Sequence, residues 1–159
     1  MSNVEFINRI KIVNLAEDIR FLEEISAWHW SEWDKSCGIT LEEVIYRNRH
    51  SLYSGRIPQT FIAKLNDEVV GTVSLWNNDL KCRQDLTPWL AALYIKKEYR
   101  GKGLGTLLQK KCIDAARGLG YEKLYLITEH ENYYERTGWK LLELAPVNEP
   151  GVRIYEYDL

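Results

Sequence analysis

Residues Arg100, Gly101, Lys102, Gly103, Leu104 and Gly105 bring two cations and three glycines together between an apolar run, Trp89 to Ile95, and an amphipathic segment starting at Leu104. Strand, glycine-rich turn, then helix is the order that a diphosphate-binding site needs. Glycine lets the backbone come close to an anion. The unpaired N–H groups of the turn then point at that anion, and the helix N-terminus adds partial positive charge. Arg100 and Lys102 add full charges, and Thr106 adds a hydroxyl in the first helical turn. Two common nucleotide motifs do not fit. A phosphate loop needs Lys-Ser or Lys-Thr directly after its last glycine, and Thr106-Leu107 stand there. A dinucleotide fingerprint needs G-x-G-x-x-G, whereas Gly101, Gly103 and Gly105 alternate.

The pattern that fits is R-x-x-G-x-G, and with it the chain resembles the GNAT N-acetyltransferase superfamily. Two further stretches carry the resemblance. Leu93-Tyr94-Ile95, before Lys96 to Arg100, looks like the end of the family's fourth strand. Tyr134-Glu135-Arg136-Thr137-Gly138-Trp139 looks like its Y-E-K-x-G-F signature after strand five. The likeness is strongest from about Leu90 to Trp139 and weakest before Phe61. It implies acetyl-CoA as cosubstrate, no metal, and direct transfer to a primary amine in a ternary complex. By the same resemblance, Arg100, Gly101, Lys102, Gly103, Leu104, Gly105 and Thr106 hold the pyrophosphate. The backbone of Leu93, Tyr94 and Ile95 pairs with the pantetheine arm where strands four and five splay apart. Tyr134 is the general acid for the leaving thiolate, a task a phenol can perform within hydrogen-bond reach. Tyr133 is assigned the packing of the short helix. Many members carry an asparagine several residues before the tyrosine. Asn132 is too close to Tyr134 to match it, so no role passes to it.

Direct transfer needs no cysteine nucleophile. It needs a free-base amine, a donor for the developing oxyanion, and help for a thiolate whose thiol titrates near 8.5. The general base stays open among Glu129, His130, Asp79, His29 and a water chain, histidine having the best intrinsic pKa. The acceptor is expected between the first two helices and the loops at Asn77 to Pro88 and Glu129 to Glu131, with Trp33, Asp79 and Glu129 beside it. Asp85, Glu131 and Glu135 would add negative charge that attracts a cationic amine. A small amine is the leading acceptor. The alternatives are a protein N-terminus or lysine, or a non-catalytic acyl-CoA-binding module on the same scaffold. Of the six tryptophans, Trp33 and Trp89 are the candidates for an aromatic wall at the ligand, and the rest read as core.

The elements that must position these residues follow from periodicity. Glu5 to Val13 reads as a first strand. Leu15, Ile19, Leu22, Ser26, His29 and Trp33 recur at helical spacing. Thr40 and Glu43 form a capping-box pattern that opens a second helix. Thr60 to Leu65 and Val69 to Trp76 read as a hairpin, Trp89 to Ile95 as a central strand. Leu104 to Leu119 gives the cleanest helical period, followed by a strand at Lys123 to Ile127 and a short helix at Asn132 to Thr137. Trp139 to Val147 and Val152 to Asp158 pair through Asn148-Glu149-Pro150-Gly151. The fold class is α/β, a single GNAT-like domain over 1–159 with a mixed, mostly antiparallel sheet flanked by helices.

At 159 residues the chain suits one domain with a substantial core. A net charge of −2 gives no general attraction to nucleic acid or membrane. Cys37, Cys82 and Cys112 form no C-x-x-C pair, so neither a zinc site nor a disulfide framework is indicated, and a reducing cytoplasm is the expected setting. No apolar run reaches membrane length, and no signal-peptide pattern opens the chain. A homodimer is compatible with all of this.

Overall fold

Alternation of side chains along Phe61, Ile62 and Ala63 sends neighbours to opposite faces of a sheet, and each face is covered by its own helices. The structure, a computed structural model, describes residues 1–145 and 151–159. Its strands are β1 (Ile10–Asn14), β2 (Gln59–Leu65), β3 (Glu68–Trp76), β4 (Trp89–Ile95), β5 (Lys123–Thr128), β6 (Lys140–Leu144) and β7 (Arg153–Asp158). They form one sheet in the order β1-β2-β3-β4-β5-β7-β6. All neighbouring pairs are antiparallel except β4 and β5, which run parallel. The strand end expected at Val147 and the turn residues Asn148, Glu149 and Pro150 lie outside the described residues.

Helix α4 (Leu104–Gly118) lies on one face. Its Leu104, Leu108 and Cys112 are fully buried against Phe61, Ala63, Val70 and Leu124. Helices α2 (Leu22–His29) and α3 (Leu41–Arg49) belong to the other layer, where Leu22 and Ile25 pack with Ile62 and Val69. The capping box of α3 forms as read: Thr40 Oγ1 accepts from the Glu43 N–H, and the Glu43 carboxylate accepts from the Thr40 N–H. No helix among the described residues is long and apolar enough to cross a membrane.

Two expected elements are corrected near the N-terminus. Residues expected to begin the first strand form a helix, α1 (Asn3–Asn8), and the strand starts only at Ile10. A second capping box makes the difference: Ser2 Oγ accepts from the Glu5 N–H at 3.2 Å, and Glu5 accepts from the Ser2 N–H at 2.7 Å. The long helix expected from Leu15 is also broken. Two 3₁₀ turns (Leu15–Glu17 and Ile19–Phe21) precede α2, because Asn14 caps the first and Asp18, at φ −145°, interrupts the helical path. Ile19 is consequently exposed rather than on the core stripe. After His29 the chain continues as a π-helical turn, Trp30–Asp34, which turns Asp34 inward.

Helix α1 is tied to the glycine-rich loop. Phe6 is 3% exposed. Its ring stacks on Tyr99 at 5.7 Å. The Lys102 ammonium sits 5.3 Å from the Phe6 ring and 5.5 Å from that of Tyr99. Phe6→Ala should therefore lower the unfolding free energy by about 3 kcal/mol, the low end for such a truncation. Val4→Ala, at an exposed position of the same helix, should stay within about 0.5 kcal/mol of the parent in the same urea denaturation experiment.

Candidate functional site

The loop follows directly from β4. A 3₁₀ turn at Lys97–Tyr99 reverses the chain, and Gly101 and Gly103 adopt φ of 74° and 87°, a region that disfavours any side chain. Gly103 is the N-cap of α4 and has no side chain to cap with. The first intrahelical bond runs from the Leu107 N–H to the Gly103 carbonyl, so the N–H groups of Leu104, Gly105 and Thr106 have no partner within the helix. Thr106 is exposed in that turn. Together these leave a cluster of unpaired helix N–H groups beside the glycine turn, the feature by which a helix N-terminus can hold an anion. Arg100 is partly used in holding the loop: its Nε donates to the Ile95 carbonyl at 2.9 Å and its guanidinium lies 5.6 Å from the Tyr94 ring.

The strand before the loop is opened on one side. β4 and β5 share a single ladder pair, Trp89 with Tyr125, next to the bond from the Tyr125 N–H to the Pro88 carbonyl. Beyond it they diverge. On the β3 side, pairing shifts between Thr72 and Ser74, and Ala92 takes a φ of 51°. That bulge re-aims the end of the strand. Leu93, Tyr94 and Ile95 are half-buried and have no β5 partner. The Tyr94 ring packs on Trp28 of α2 at 4.9 Å, so the strand's outer half is braced by that helix.

Of the two adjacent tyrosines, Tyr133 departs from the packing role expected of it. Tyr134 is the packed residue: 8% exposed, with Tyr133, Trp139 and Tyr155 around its ring at 4.9, 6.1 and 6.2 Å. Burial, with a smaller contribution from Tyr133, pushes its phenol well above the ordinary tyrosine range, so it keeps its proton at neutral pH. Tyr133, expected to pack the short helix, is 43% exposed, and its hydroxyl reaches over the first turn of α4. Asn132 has φ 58°, so it serves as a turn residue there.

A residue with no sequence signal of its own fastens this segment. Gln109 of α4 is buried, and its Oε1 accepts from the Trp139 indole at 3.1 Å and the Thr137 hydroxyl at 2.9 Å. Its place among core residues on the buried face of α4, one helical turn beyond Gly105, was the only hint.

Among the residues expected to lie near the acceptor, several expectations change. Trp89 is fully buried, its indole bonded to the Leu86 carbonyl, and is core rather than ligand wall. Trp33 is 42% exposed with its ring 5.8 Å from His29. Three of the five loop carboxylates are already engaged: Asp85 with Arg83, Glu131 with Arg153, and Glu135 with the Tyr155 hydroxyl. Glu129 is exposed and makes no ion pair among the described residues. His29 is fully buried. Its Nδ1 meets Asn48 at 3.2 Å and its Nε2 has no partner among the described residues. Desolvation, aided by Arg47, brings it down to about 4, which makes it a neutral core imidazole. Arg47 grips Asp34 with both terminal nitrogens at 3.0 and 2.9 Å and lies over the Trp76 ring at 5.2 Å. Asp79, half-buried, is pushed up by desolvation to about 7, with Arg47 opposing and Asp34 reinforcing the shift.

A surface cavity of about 370 Å³ lies elsewhere, lined by Asn14, Gln59 and Lys111 among others, and includes none of the loop residues.

Residues 22–139 match the model of the acetyltransferase (GNAT) family. N-alpha-acetyltransferase 30 of Schizosaccharomyces pombe is 34% identical over 85 residues, which is 50% of this chain and 56% of that protein. The chain thus spans little more than half the length of that curated relative. Among solved structures, an acetyltransferase from Streptococcus agalactiae superposes with a TM-score of 0.68 at 21% identity, covering 95% of this chain and 99% of its own. The protein yncA of Salmonella typhimurium, solved with its cofactor acetyl-CoA, gives 0.71 at 17% identity, covering 95% and 94%. At these identities the structures establish the fold.

Asp79 and His29 titrate with opposite consequences. The folded state holds the Asp79 proton more tightly than the unfolded chain, so its contribution to stability grows as pH falls from about 7 toward 4. His29 binds its proton less tightly when folded, so stability is lost as pH falls from 6.5 to about 4. Asp79→Asn removes the compensating contribution. Its stability should fall more steeply than the parent's on acidification through this window, as followed by urea denaturation.

Proposed function

The chain belongs to the acetyltransferase (GNAT) family, and from that premise we propose that it moves an acetyl group from acetyl-CoA to a primary amine by direct transfer in a ternary complex. The observation that carries this reading is the seam between β4 and β5, which parts after one ladder pair and ends on a loop with free N–H groups. Arg100, Gly101, Lys102, Gly103, Leu104, Gly105 and Thr106 would hold the diphosphate. The pantetheine arm would pair with the exposed backbone edge of Leu93, Tyr94 and Ile95. A backbone N–H there would face the acetyl oxygen and stabilise the oxyanion as it forms.

In the step itself, the free-base nitrogen bonds to the acetyl carbon and the carbon–sulfur bond breaks. The nitrogen gives up one proton and the thiolate gains one, leaving an amide and free coenzyme A. Tyr134 is the proposed proton donor because it stands at the tyrosine of the Y-E-K-x-G-F-like signature, where the resemblance puts the acid. Asp79 is the proposed proton acceptor among the four candidates. It is half-buried with a pKa near neutrality, which suits a general base, whereas His29 is buried and neutral.

The acceptor is proposed to be a small monoamine. Ion pairs of Asp85 with Arg83 and of Glu131 with Arg153 reduce the negative charge these loops offer to a polycation. Trp33, Asp79 and Glu129 are proposed to line the acceptor side. A second reading, a peptide N-terminal amine, is favoured by the match to a protein named N-alpha-acetyltransferase.

A screen with acetyl-CoA and separate panels of monoamines, polyamines, amino acids and short peptides, read by thiol release, tests the activity. Turnover with a small monoamine supports the first reading and turnover only with peptides the second. No turnover with any class would reduce the protein to an acyl-CoA binder. With the acceptor in hand, Tyr134→Phe should lower kcat by about 10²-fold with little change in acetyl-CoA affinity. Wild-type kcat under rate-limiting chemistry would remove Tyr134 from the acid role.

A further inference from the structure

We propose that Tyr133 is a cofactor-binding residue whose hydroxyl donates a hydrogen bond to a diphosphate oxygen of coenzyme A at the N-terminus of α4. The proposal rests on the coenzyme A reading above. It starts from Gly105. A Cβ built on that residue would lie 2.8 Å from the Tyr133 oxygen, closer than such atoms approach one another. The phenol therefore lies against the backbone of the first turn of α4, beside the N–H groups that the helix leaves free. No side chain or backbone group among the described residues hydrogen-bonds the Tyr133 hydroxyl, although the ring is 43% exposed. An O–H without a partner beside the first turn of a helix whose N–H groups are free suits an anion that accepts from both.

The ring is aimed by its surroundings. It stands edge-on to the buried Tyr134 at 4.9 Å, with His130 at 6.4 Å on the other side. The segment that follows is pinned to the same helix through Gln109, which accepts from Thr137 and Trp139. Tyr133 is thus delivered to the loop from the far side of the seam, and the diphosphate would be held between α4 and the chain leaving β5. Gly105 is not among the glycines with positive φ, so space and not backbone freedom is the reason for glycine there. It leaves the space that the Tyr133 hydroxyl occupies, so positions 105 and 133 are coupled.

Calorimetric titration of the full chain with coenzyme A and with acetyl-CoA tests this. Tyr133→Phe should weaken both ligands alike by about tenfold or more, the scale of one hydrogen bond to a charged group, because the diphosphate is common to both. Gly105→Ala should weaken binding in the wild-type background by displacing the hydroxyl. In the Tyr133→Phe background it should cost less than about twofold, since the hydroxyl is already absent. Unchanged affinity in Tyr133→Phe, a loss for acetyl-CoA alone, or additive effects of the two substitutions would each overturn the proposal. Binding of neither ligand by the wild-type protein would instead overturn the coenzyme A reading from which it starts.

Discussion

β4 and β5 share one ladder pair, at Trp89 and Tyr125, and then part. Two parallel strands in the middle of a sheet would ordinarily complete their hydrogen bonds along their whole length, since unpaired buried backbone groups are costly. Here the pairing ends early, and both strands are held by their outer neighbours instead. β4 keeps β3, across a bulge at Ala92, and β5 keeps β7 over its whole length. The sheet can therefore stay in one piece while a polar edge remains free at its centre. An extended ligand that supplies its own acceptors and donors is the partner such an edge fits.

The parts around this opening each hold one side of it. α4 follows β4 through the 3₁₀ turn and the glycine loop and begins with free N–H groups. α2 braces the outer half of β4 through Trp28 on Tyr94. α1 supports the loop from beneath, with Phe6 under Lys102 and Ile7 within 3.8 Å of the place a Cβ would take at Gly103. Charge at the loop is thus set by packing. Lys102 is held by two aromatic rings and pairs with no carboxylate among the described residues.

Much of this was legible in the sequence, and the reasons for the exceptions are physical. Trp89 to Ile95 and the helix from Leu104 were read within a residue of their bounds, because a buried strand and a one-sided helix carry strong periodic signals. The loop was legible because a positive φ selects glycine. Helix α1 was missed although Ser2 and Glu5 repeat the capping pattern recognised at Thr40 and Glu43. Its six residues are too short for periodicity to outweigh the strand-forming residues that follow. The two tyrosines were harder. Adjacent residues of one type differ only in which way the backbone turns them, and the left-handed Asn132 before them sets that direction. The ion pairs within the acidic loops were equally hidden: Arg153 reaches Glu131 from β7, and only the folded loop turns Arg83 onto Asp85 two residues on.

The central claim is that the opened seam and the α4 N-terminus together form the cofactor site. It is tested most directly by the backbone amide spectrum of the isotopically labelled protein during titration with coenzyme A. The amide signals of Leu93, Tyr94 and Ile95 and of Gly103 to Thr106 should shift together and saturate at one affinity, while those lining the cavity at Asn14, Gln59 and Lys111 stay in place. Saturable shifts confined to that cavity, with the seam and loop unmoved, would contradict the account.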